Sequence, residues 1–324
     1  MRVVVLDDYQ NAARQFADWS VIPDLDLVSL PEHIADEATL AEQLVGAQVI
    51  VAMRERTRMP ASLFDRLTGV ELVVTTGLSN AVIDIAAAVA HGITVCGTSG
   101  IITPTSELTW GLIHAVTRHI AADDATMRAG GWQTRMGTGL SGSRLGLIGL
   151  GNIGERVAKV GLAFGMDVVA WSQNLSPAKA EAAGVRPVSK DELLSTSDVI
   201  SVHYQLSDRS RGIVGAADFA RMKRSAIIVN TSRGPLIDRD ALVDALRTGT
   251  IAGAGLDVYD LEPLAVDDPL RSLSNTVLTP HTGYVVDQCY KIFFEHIVED
   301  ILMWRAGTPV RVVAPPTAQT PPAH

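Results

Sequence analysis

The sequence predicts an α/β protein with two doubly wound parallel sheets, and two observations support this. Short apolar runs with the length of buried strands alternate with helical patterns along most of the chain. A glycine-rich turn follows the sixth of these runs, near the middle of the 324 residues. Because this turn does not open the chain, about the first hundred residues are predicted to form a separate domain. A chain of this length is long enough to form two domains of ordinary size.

The predicted strands fall into two groups. The first comprises Val3–Leu6, Leu25–Val28, Val49–Ala52, Leu72–Thr75 and Thr94–Cys96, and the second comprises Arg144–Ile148, Asp167–Ala170, Val199–Val202, Ala226–Val229, Gly253–Leu256 and Thr276–Leu278. Helical patterns lie between them at Ala38–Leu44, Ser62–Leu67, Asp84–Ala90, Ile153–Ala163, Lys190–Ser195, Ala216–Arg221 and Arg239–Thr248. Two longer apolar helices, Glu107–Ile120 and Tyr290–Trp304, flank the second group. The chain is therefore predicted to leave the first domain, build the second and return.

The segment 145–154 places the pattern GxGxxG between an apolar strand and a helix, which is how proteins hold a dinucleotide pyrophosphate. In this motif the first glycine allows a tight turn, the second lets the backbone approach the phosphates, and the third lets the helix pack close to the strand. The free N–H groups that open the helix face the anion. The alternative, a merely glycine-rich turn, is disfavoured by the helical apolar spacing that follows. The predicted cofactor-binding residues of this segment are Gly149, Gly151, Asn152, Ile153 and Gly154.

These features define the predicted domains. A Rossmann dinucleotide-binding domain spans residues 99–284, and it is inserted in a flavodoxin-like substrate domain made of residues 1–98 and 285–324. The Pro-rich tail, residues 314–324, is predicted to be disordered or loosely attached because its composition cannot build a packed core.

Composition limits the classes of function. A formal net charge of −9 disfavours binding to nucleic acid or to anionic lipid. No run approaches the roughly 20 apolar residues that a membrane helix needs, and the N-terminus lacks the pattern of a secretory signal. We therefore expect a cytoplasmic protein that binds no membrane. Two cysteines, Cys96 and Cys289, cannot build a disulfide framework and lack metal-ligand spacing, so no metal site is predicted.

Three polar islands follow predicted strands of the second domain, where ligand-facing loops belong. They are Asn230–Asp238, Gly255–Pro263 and Thr279–Tyr284. Together with Thr76–Asp84 and Ser201–Tyr204, in this order, they give a sequence that resembles the D-isomer-specific 2-hydroxyacid dehydrogenase family from about residue 1 to residue 313. The resemblance favours the glyoxylate and hydroxypyruvate reductases or the short phosphoglycerate dehydrogenases of that family.

The resemblance implies a catalytic trio of Arg233, Glu262 and His281, and a contact between Asp257 and the nicotinamide carboxamide. These residue types suit the reduction of a 2-keto acid, because hydride transfer leaves negative charge on the carbonyl oxygen and a histidine can protonate it. A carboxylate beside the imidazole orients the ring and stabilises its charged form. An arginine holds a substrate carboxylate through two parallel hydrogen bonds. Taken singly, each of the three could instead belong to a capped turn or a surface ion pair.

The resemblance also implies further contacts to cofactor and substrate. The additional cofactor-binding residues are Tyr204, Thr231 and Ser232, together with Arg233, Asp257 and His281. The substrate-binding residues are Arg54, Gly77, Leu78 and Ser79, together with Arg233 and His281. Leu78 and Ser79 would offer backbone N–H groups to the substrate carboxylate. Arg54 equally fits a salt bridge with Glu55.

The preferred cofactor is left open by the end of the second strand of the nucleotide-binding domain. In NAD-preferring proteins an acidic residue there binds the ribose hydroxyls. Here Ser172 and Gln173 stand at that point, and no carboxylate is present. A 2′-phosphate would not be repelled, yet Gln173 and Asn174 bring no cation to bind it. The sequence therefore allows NAD(H) or NADP(H), and we expect at least measurable use of NADPH.

The predicted function is reduction of a small 2-keto acid, such as glyoxylate or hydroxypyruvate, to the D-2-hydroxy acid. Two alternatives remain open. One is a nucleotide-sensing, corepressor-like binding protein, and the other is a dehydrogenase of an inorganic oxyacid such as phosphite. The resemblance also implies a homodimer, formed largely through the Thr105–Ala129 region.

Overall fold

A computed structural model describes residues 1–313, and the predicted disordered tail lies outside the described residues. The contacts divide the described chain into two compact units. Unit 1 consists of Met1–Ile101 together with residues 285–313, and unit 2 consists of Ile102–Tyr284. Unit 2 therefore begins at Ile102, whereas the sequence analysis predicted that this domain begins at residue 99.

The elements alternate between strand and helix in both units. The strands are β1 (Arg2–Val5), β2 (Asp26–Ser29), β3 (Val49–Ala52), β4 (Leu72–Thr75), β5 (Thr94–Gly97), β6 (Arg144–Ile148), β7 (Asp167–Trp171), β8 (Arg186–Pro187), β9 (Val199–Val202), β10 (Ile227–Asn230), β11 (Gly253–Leu256) and β12 (Thr276–Leu278). The helices are α1 (Glu37–Gln43), α2 (Ala61–Phe64), α3 (Ile85–Ala90), α4 (Thr103–Thr117), α5 (Ile120–Arg128), α6 (Asn152–Ala163), α7 (Pro177–Ala182), α8 (Lys190–Thr196), α9 (Ala216–Phe219), α10 (Arg239–Arg247) and α11 (Asp287–Arg305). Short 3₁₀ turns occur at Trp19–Val21, Gly234–Leu236 and Pro269–Ser272.

Unit 1 contains a five-stranded parallel sheet in the order β2-β1-β3-β4-β5. Every residue of β3 and β4 is buried, which explains why these strands read as continuous apolar runs rather than as alternating ones. Val4, Ile50 and Val73 pack with Phe64 of α2 in the core on one face of the sheet. After α11 the chain returns to β5, where Val312 pairs antiparallel with Cys96.

Unit 2 contains a seven-stranded parallel sheet in the order β12-β11-β10-β9-β6-β7-β8. The strand order reverses at β6, which lies between β9 and β7. In open parallel sheets a ligand site forms at the carboxyl ends of the strands beside such a reversal. The polar islands that follow β10, β11 and β12 lie at this same edge. The prediction of two doubly wound parallel sheets is confirmed.

Three local predictions differ from the structure. The predicted helix Glu107–Ile120 corresponds to α4, which begins earlier, at Thr103, and ends at Thr117; His119 then adopts a left-handed φ of 55°, and a separate helix, α5, begins at Ile120. The strand β8 and the helix α7 were not predicted, since β8 is two exposed residues, Arg186 and Pro187, and α7 has a single buried residue.

The described residues also bear on membranes and metals. None of their helices has both the length and the apolar character required to span a bilayer. Within residues 1–313, no group of three or more His, Cys, Asp or Glu side chains is placed to hold a metal ion.

Candidate active site

The three glycines of the motif lie in three different backbone settings. Gly149 has a φ of 99°, and its Cα lies against the carbonyl group of His203, with no space for a side chain. Gly154 faces the Gly149 carbonyl, and a β-carbon there would stand 2.5 Å from the oxygen. Gly151, by contrast, has only open space where a β-carbon would lie. The turn is therefore tightly packed at both ends and open at its centre.

Helix α6 begins immediately after this open glycine. Gly151 is its N-cap residue, and no side chain caps the helix. The first N–H groups of α6, beginning at Asn152 and Ile153, therefore have no partner within the helix. They also carry the partial positive charge of a helix N-terminus. Open backbone and unpaired N–H groups fit the pyrophosphate of a dinucleotide, so the residues present suit the cofactor that the motif implies.

The second strand of this nucleotide-binding sheet ends in an aromatic pair. The ring of Trp171, the last residue of β7, stacks on that of Tyr204 with centroids 6.1 Å apart and planes 15° apart. Ser172 and Gln173 follow, the first half-buried and the second exposed. Within the described residues no hydrogen bond uses either of these two side chains, so both are available to a ligand.

His203 lies beside the glycine turn and is held in its neutral form. Its Nε2 atom is 2.9 Å from the Ser201 hydroxyl, while Nδ1 is buried without a hydrogen-bond partner in the described part of the chain. Burial lowers the pKa of His203 to about 4, since the charged imidazolium loses its hydration there. At neutral pH this side chain therefore adds no positive charge to the glycine turn.

The loop that carries Arg233 is shaped by the side chain of Asn230. The Asn230 carbonyl accepts the backbone N–H of Ser232 at 3.0 Å, and its amide donates to the carbonyl of Arg233 at 2.9 Å. Arg233 itself is extended and half-buried, and its guanidinium donates to the Ser232 carbonyl at 2.7 Å. These bonds fix the backbone on both sides of the guanidinium-bearing residue.

Two predicted cofactor contacts in this loop already have hydrogen bonds inside unit 2. The Thr231 hydroxyl lies 2.8 Å from the hydroxyl of Thr109 in α4. The Ser232 hydroxyl donates to the carbonyl of Val202, at the end of β9, at 2.9 Å. Both oxygens keep a lone pair for a further hydrogen bond. Their contact with the cofactor stays a prediction.

His281 and Glu262 form a hydrogen-bonded pair although 19 positions separate them in the chain. Nδ1 of His281 is 2.6 Å from Oε2 of Glu262, and Oε1 of Glu262 accepts the backbone N–H of Tyr259 at 2.9 Å. Because an ionised carboxylate only accepts, Nδ1 carries a proton in this pair and Nε2 is left for an external partner. The His281 side chain is 20% exposed, so a small molecule can reach it.

Asp257 fixes the turn on which His281 lies. The Asp257 side chain is fully enclosed, with 1% of the residue exposed. Its carboxylate accepts the Thr279 hydroxyl at 2.6 Å, the Thr282 N–H at 2.8 Å and the Gly283 N–H at 2.9 Å. Burial raises the pKa of Asp257, and these hydrogen bonds oppose the rise. These bonds lie on both sides of His281, whose φ of 54° is in the left-handed region that residues other than glycine rarely adopt.

Tyr259 and Gly234 connect the loops that carry the trio. The Tyr259 hydroxyl is 2.9 Å from the carbonyl of Thr279, at the start of the His281 turn. Gly234 lies directly against the backbone of Tyr259 and Asp260, where a β-carbon would overlap the chain. The loop after Arg233 therefore packs on the loop that leads to Glu262, and all three members of the predicted trio belong to loops at one edge of the sheet.

The predicted substrate residues of unit 1 form a second polar group at the ends of β3 and β4. Arg54 has a left-handed φ of 54°, its Nε lies 3.5 Å from Glu55, and its guanidinium lies over the Cα of Gly77. Gly77 itself has a φ of 101°. Leu78 and Ser79 are exposed, and no hydrogen bond within residues 1–313 uses their backbone N–H groups. The ion pair with Glu55 is present, and the substrate roles stay predictions.

Sequence reasoning missed four residues that support the trio. They are Asn230, Tyr259, Thr279 and Thr282, which hold the loops of Arg233, Glu262 and His281 as described above. The role of Asn230 could have been predicted, because an asparagine side chain in a turn often accepts the backbone N–H two residues further along the chain. Nothing in the sequence marks the other three, since their partners are backbone groups or a carboxylate 22 and 25 positions away.

Comparison with known proteins agrees with this geometry. Residues 110–283 match the family model of the D-isomer-specific 2-hydroxyacid dehydrogenase NAD-binding domain. A glyoxylate reductase of Aeropyrum pernix is 38% identical over 236 residues, which cover 70% of each chain. A hydroxypyruvate reductase of Thermotoga maritima is 37% identical over 276 residues, or 83% of this chain and 88% of that one.

A third relative is longer than this protein. The D-3-phosphoglycerate dehydrogenase of Archaeoglobus fulgidus is 36% identical over 264 residues, covering 81% of this chain but only 50% of that one. This chain thus matches about half the length of that relative. These three relatives lend no support to the corepressor or to the phosphite alternative.

A solved structure matches nearly the whole chain. An oxidoreductase from Ralstonia solanacearum has a TM-score of 0.93 at 34% sequence identity, covering 97% of this chain and 98% of that one. The family match spans the glycine turn and the loops of Arg233, Glu262 and His281. The chain therefore belongs to the D-isomer-specific 2-hydroxyacid dehydrogenases, NAD-binding oxidoreductases that act on CH–OH donors.

Proposed function

We propose that the protein reduces a small 2-keto acid, of the size of glyoxylate or hydroxypyruvate, to the corresponding D-2-hydroxy acid. The single observation that carries this proposal is the 2.6 Å pair of His281 and Glu262, with Glu262 fixed at its second oxygen by Tyr259. A proton donor held this firmly is what the reduction of a carbonyl group requires. The names of the two reductases among the relatives support the same substrate class.

The chemistry assigned to each residue follows from its donors and acceptors. When bound, the nicotinamide cofactor supplies the hydride that adds to the carbonyl carbon. Nε2 of the His281 imidazolium gives its proton to the carbonyl oxygen as negative charge develops there, and Glu262 stabilises the ring while it is charged. The Arg233 guanidinium binds the substrate carboxylate by two hydrogen bonds and polarises the neighbouring carbonyl. Arginine keeps its charge throughout, so only His281 changes protonation.

The test is an assay of NADH and NADPH oxidation with a panel of acids. Glyoxylate, hydroxypyruvate, pyruvate and 3-phosphohydroxypyruvate are compared by kcat/KM, and the product is resolved on a chiral column. We expect glyoxylate or hydroxypyruvate to give the highest kcat/KM and the D-hydroxy acid as product. A preference for 3-phosphohydroxypyruvate, or no turnover with any of the four, would contradict the proposal.

NADPH use is part of the proposal. No acidic residue lies between Ser172 and Ala178, the segment that follows β7, so no carboxylate of this segment repels a 2′-phosphate. We therefore expect measurable turnover with both reduced cofactors. An overwhelming preference for NADH at equal concentrations would contradict this part alone.

We also propose that the protein is a homodimer and that it acts in the cytoplasm. Exposed apolar side chains cluster along α5 and the segment that follows it, where Ile120 is 52%, Met127 53%, Trp132 75% and Met136 92% exposed. Such a series favours burial against a second copy of the chain. Sedimentation equilibrium tests this, with Met127→Asp as the variant expected to give monomers. A monomeric wild-type protein at micromolar concentration would overturn it.

A further inference from the structure

The hydroxyl of Thr109, in the second turn of α4, lies between two other oxygen atoms. It is 2.8 Å from the carbonyl oxygen of Thr105 and 2.8 Å from the hydroxyl oxygen of Thr231, the residue that follows β10. Thr109 is fully buried, whereas 5% of Thr231 is exposed. Of these two threonines, only Thr231 therefore has surface that a ligand can reach.

The direction of these two hydrogen bonds follows from the number of protons present. A carbonyl oxygen has no proton, so the bond between Thr109 and Thr105 uses the single proton of the Thr109 hydroxyl. The bond between Thr109 and Thr231 then requires the proton of the Thr231 hydroxyl. Thr231 therefore donates into the fold and keeps only lone pairs for a ligand.

The next hydroxyl along this loop is in the same state. Ser232 donates its single proton to the carbonyl of Val202 at 2.9 Å, so it also keeps only lone pairs. A phosphate or a carboxylate binds through hydrogen bonds that it accepts, and neither hydroxyl has a proton left to give. The ligand group that meets these two hydroxyls is therefore a hydrogen-bond donor.

Asp257 stands beside Thr231 at the carboxyl edge of the sheet. The strands β10 and β11 pair Asn230 with Leu256, and the Asp257 N–H donates to the Asn230 carbonyl at 3.0 Å. Thr231 and Asp257 are thus the next residues along two neighbouring strands. Within the described residues, Oδ2 of Asp257 accepts one hydrogen bond, from the N–H of Gly283. A carboxylate oxygen has room for a second donor.

Helix α4 touches the surroundings of both acceptors. One turn before Thr109, the Thr105 hydroxyl donates to the carbonyl of Gly283 at 3.1 Å. A β-carbon on Gly283 would lie 3.1 Å from Oδ2 of Asp257 and 3.4 Å from the Thr105 side chain. The Thr231 hydroxyl and the Asp257 carboxylate therefore lie on the same side of the sheet, the side that α4 covers.

Two neighbouring acceptors select the chemistry of their partner. A primary amide carries two N–H donors on one nitrogen, one for each acceptor, whereas a hydroxyl carries a single donor. The nicotinamide ring of NAD(H) bears such an amide. Asp257 is also the residue predicted to contact this amide, so Thr231 would be its second acceptor.

We propose that Thr109 is a positioning residue for the cofactor: by accepting the only proton of Thr231, it makes Thr231 a second acceptor, beside Asp257, for the amide of the nicotinamide ring. This inference rests on the proposed function for the presence of a nicotinamide cofactor, and it is independent of the identity of the keto acid. The test therefore measures binding without turnover.

The test compares NADH with its reduced 3-acetylpyridine analogue, in which a methyl group replaces the amide nitrogen. Both are titrated into the full-length protein by calorimetry, and ADP-ribose, which lacks the pyridine ring, is the third probe. We expect the wild type to bind NADH at least about tenfold more tightly than the analogue, because the analogue leaves two buried acceptors without a donor. Equal affinities for the two dinucleotides would overturn the proposal.

Variants of α4 locate the origin of this preference. Thr109→Val keeps the shape of the side chain and removes the acceptor, so the Thr231 proton turns toward the amide. The preference for NADH is then expected to fall about fivefold, as for the loss of one neutral hydrogen bond. Thr109→Ser keeps the hydroxyl and is expected to keep the preference.

Thr117→Val is the matched control. Thr117 is also buried in α4, and its hydroxyl donates to the carbonyl four residues earlier at 2.7 Å, as that of Thr109 does. Within residues 1–313 its hydroxyl bonds no residue of the loops that carry Thr231 and Asp257, so this variant is expected to keep the preference for NADH. The affinity for ADP-ribose is expected to be unchanged in every variant.

The outcomes separate this inference from the proposed function. A wild-type preference for NADH in Thr109→Val, or the same loss in Thr109→Ser or Thr117→Val, would contradict the role of the Thr109 hydroxyl alone. A fall in ADP-ribose affinity as large as that for NADH in Thr109→Val would show a general disturbance of the domain and would contradict it as well. No binding of NADH to the wild type would overturn the cofactor, and with it both this inference and the proposed function.

Discussion

Gly234 lies against the backbone of Tyr259 so closely that the two loops leave no space for a β-carbon between them. The contact joins the segment after Arg233 to the segment before Glu262. Replacing Gly234 by alanine must therefore push these two segments apart, because the obstructing atoms belong to the main chain and not to a flexible side chain. We expect the free energy of unfolding to fall by about 1 to 3 kcal/mol, as in other overpacked sites.

The Gly234→Ala variant is also expected to lose activity, since the loop that carries Arg233 shifts relative to the loop that leads to Glu262. Denaturant unfolding and steady-state kinetics measure the two effects. Gly139→Ala is the control, because Gly139 has open space around its Cα and no positive φ. Equal stability and activity of the two variants would contradict this account of the contact.

Substitution of His281 tests the proton donor. His281→Ala is expected to lower kcat by on the order of 10² to 10⁴, the usual contribution of a general acid, while the affinity for NADH is retained. Glu262→Gln is expected to have a smaller effect. Either orientation of the glutamine amide satisfies only one of its two partners, His281 Nδ1 or the Tyr259 N–H, because both of these are donors.

Single-turnover kinetics and equilibrium binding of NADH separate chemistry from affinity in these variants. If His281→Ala kept wild-type kcat, the imidazole would have no part in the proton transfer. If it lost NADH affinity as strongly as kcat, a structural role would explain the loss instead.

The glycine turn gives a contrasting pair of variants. Gly151→Ala adds a β-carbon in open space and loses only the preference of an N-cap for glycine over alanine, so we expect the free energy of unfolding to fall by no more than about 1 kcal/mol. The same β-carbon would occupy space at the N-terminus of α6, so the Kd for NADH is expected to rise by at least about tenfold, or 1.4 kcal/mol. Gly149→Ala is expected to destabilise the fold itself, because Gly149 has a φ of 99° and touches His203.

Fluorescence titration of NADH and thermal unfolding read out the two effects. A Gly151→Ala variant that binds NADH normally would show that the open face of the turn does not receive the cofactor.

His203 predicts a dependence of stability on pH. Burial lowers its pKa from about 6.5 when unfolded to about 4 when folded, so the unfolded chain binds the extra proton first as the pH falls. This contribution is therefore fully present above pH 6.5 and is lost between about pH 6.5 and pH 4, up to on the order of 3 kcal/mol. Denaturant unfolding of wild type and His203→Gln across this range measures it.

We expect the variant to lose less stability than wild type on acidification. His119→Asn is the matched control, because His119 is exposed and its left-handed backbone suits asparagine. Identical pH profiles for wild type and His203→Gln would contradict the buried, neutral state of this histidine.

The end of β7 allows a test of cofactor choice. Ser172→Asp places a carboxylate where dinucleotide-binding proteins that prefer NAD have one, so it is expected to lower the ratio of kcat/KM for NADPH to that for NADH by at least about tenfold. Ser176→Asp adds the same charge at the N-cap of α7, where aspartate caps as well as serine. An equal change of the ratio in both variants would indicate a general charge effect and not a contact with the ribose.

The fold could be predicted because most of its strands are recognisable in the sequence as short apolar runs. Strands such as β3 and β10 are buried on both faces, so β3 is a continuous run of apolar residues and β10 is one up to its last residue, Asn230. The strand β8 could not be predicted, because Arg186 and Pro187 are exposed and pair only with the edge of the sheet. The break between α4 and α5 was not predicted, because it depends on a single backbone angle, the φ of His119.

The sequence predicted which residues form the candidate site, but not the hydrogen bonds that hold them in place. Arg233, Glu262 and His281 stand in recognisable islands, and the chemistry of a keto acid asks for those three groups. Tyr259 supports the site through its backbone N–H, which donates to Glu262, and through its hydroxyl, which donates to the carbonyl of Thr279. Bonds to backbone groups cannot be predicted from a pattern of side chains. The buried environment of Asp257 likewise arises only when three loops meet.

The parallel order of the seven-stranded sheet has a practical consequence for anyone who wishes to modify the protein. Every candidate catalytic group of unit 2 follows the carboxyl end of a strand, so the turns that enter the strands lie at the opposite edge. The exposed turn at Ser141–Gly142 before β6 and the turn at Thr248–Gly249 before β11, where Thr248 is exposed, are such places. A dye, an affinity handle or a surface tether attached there leaves the reacting edge untouched.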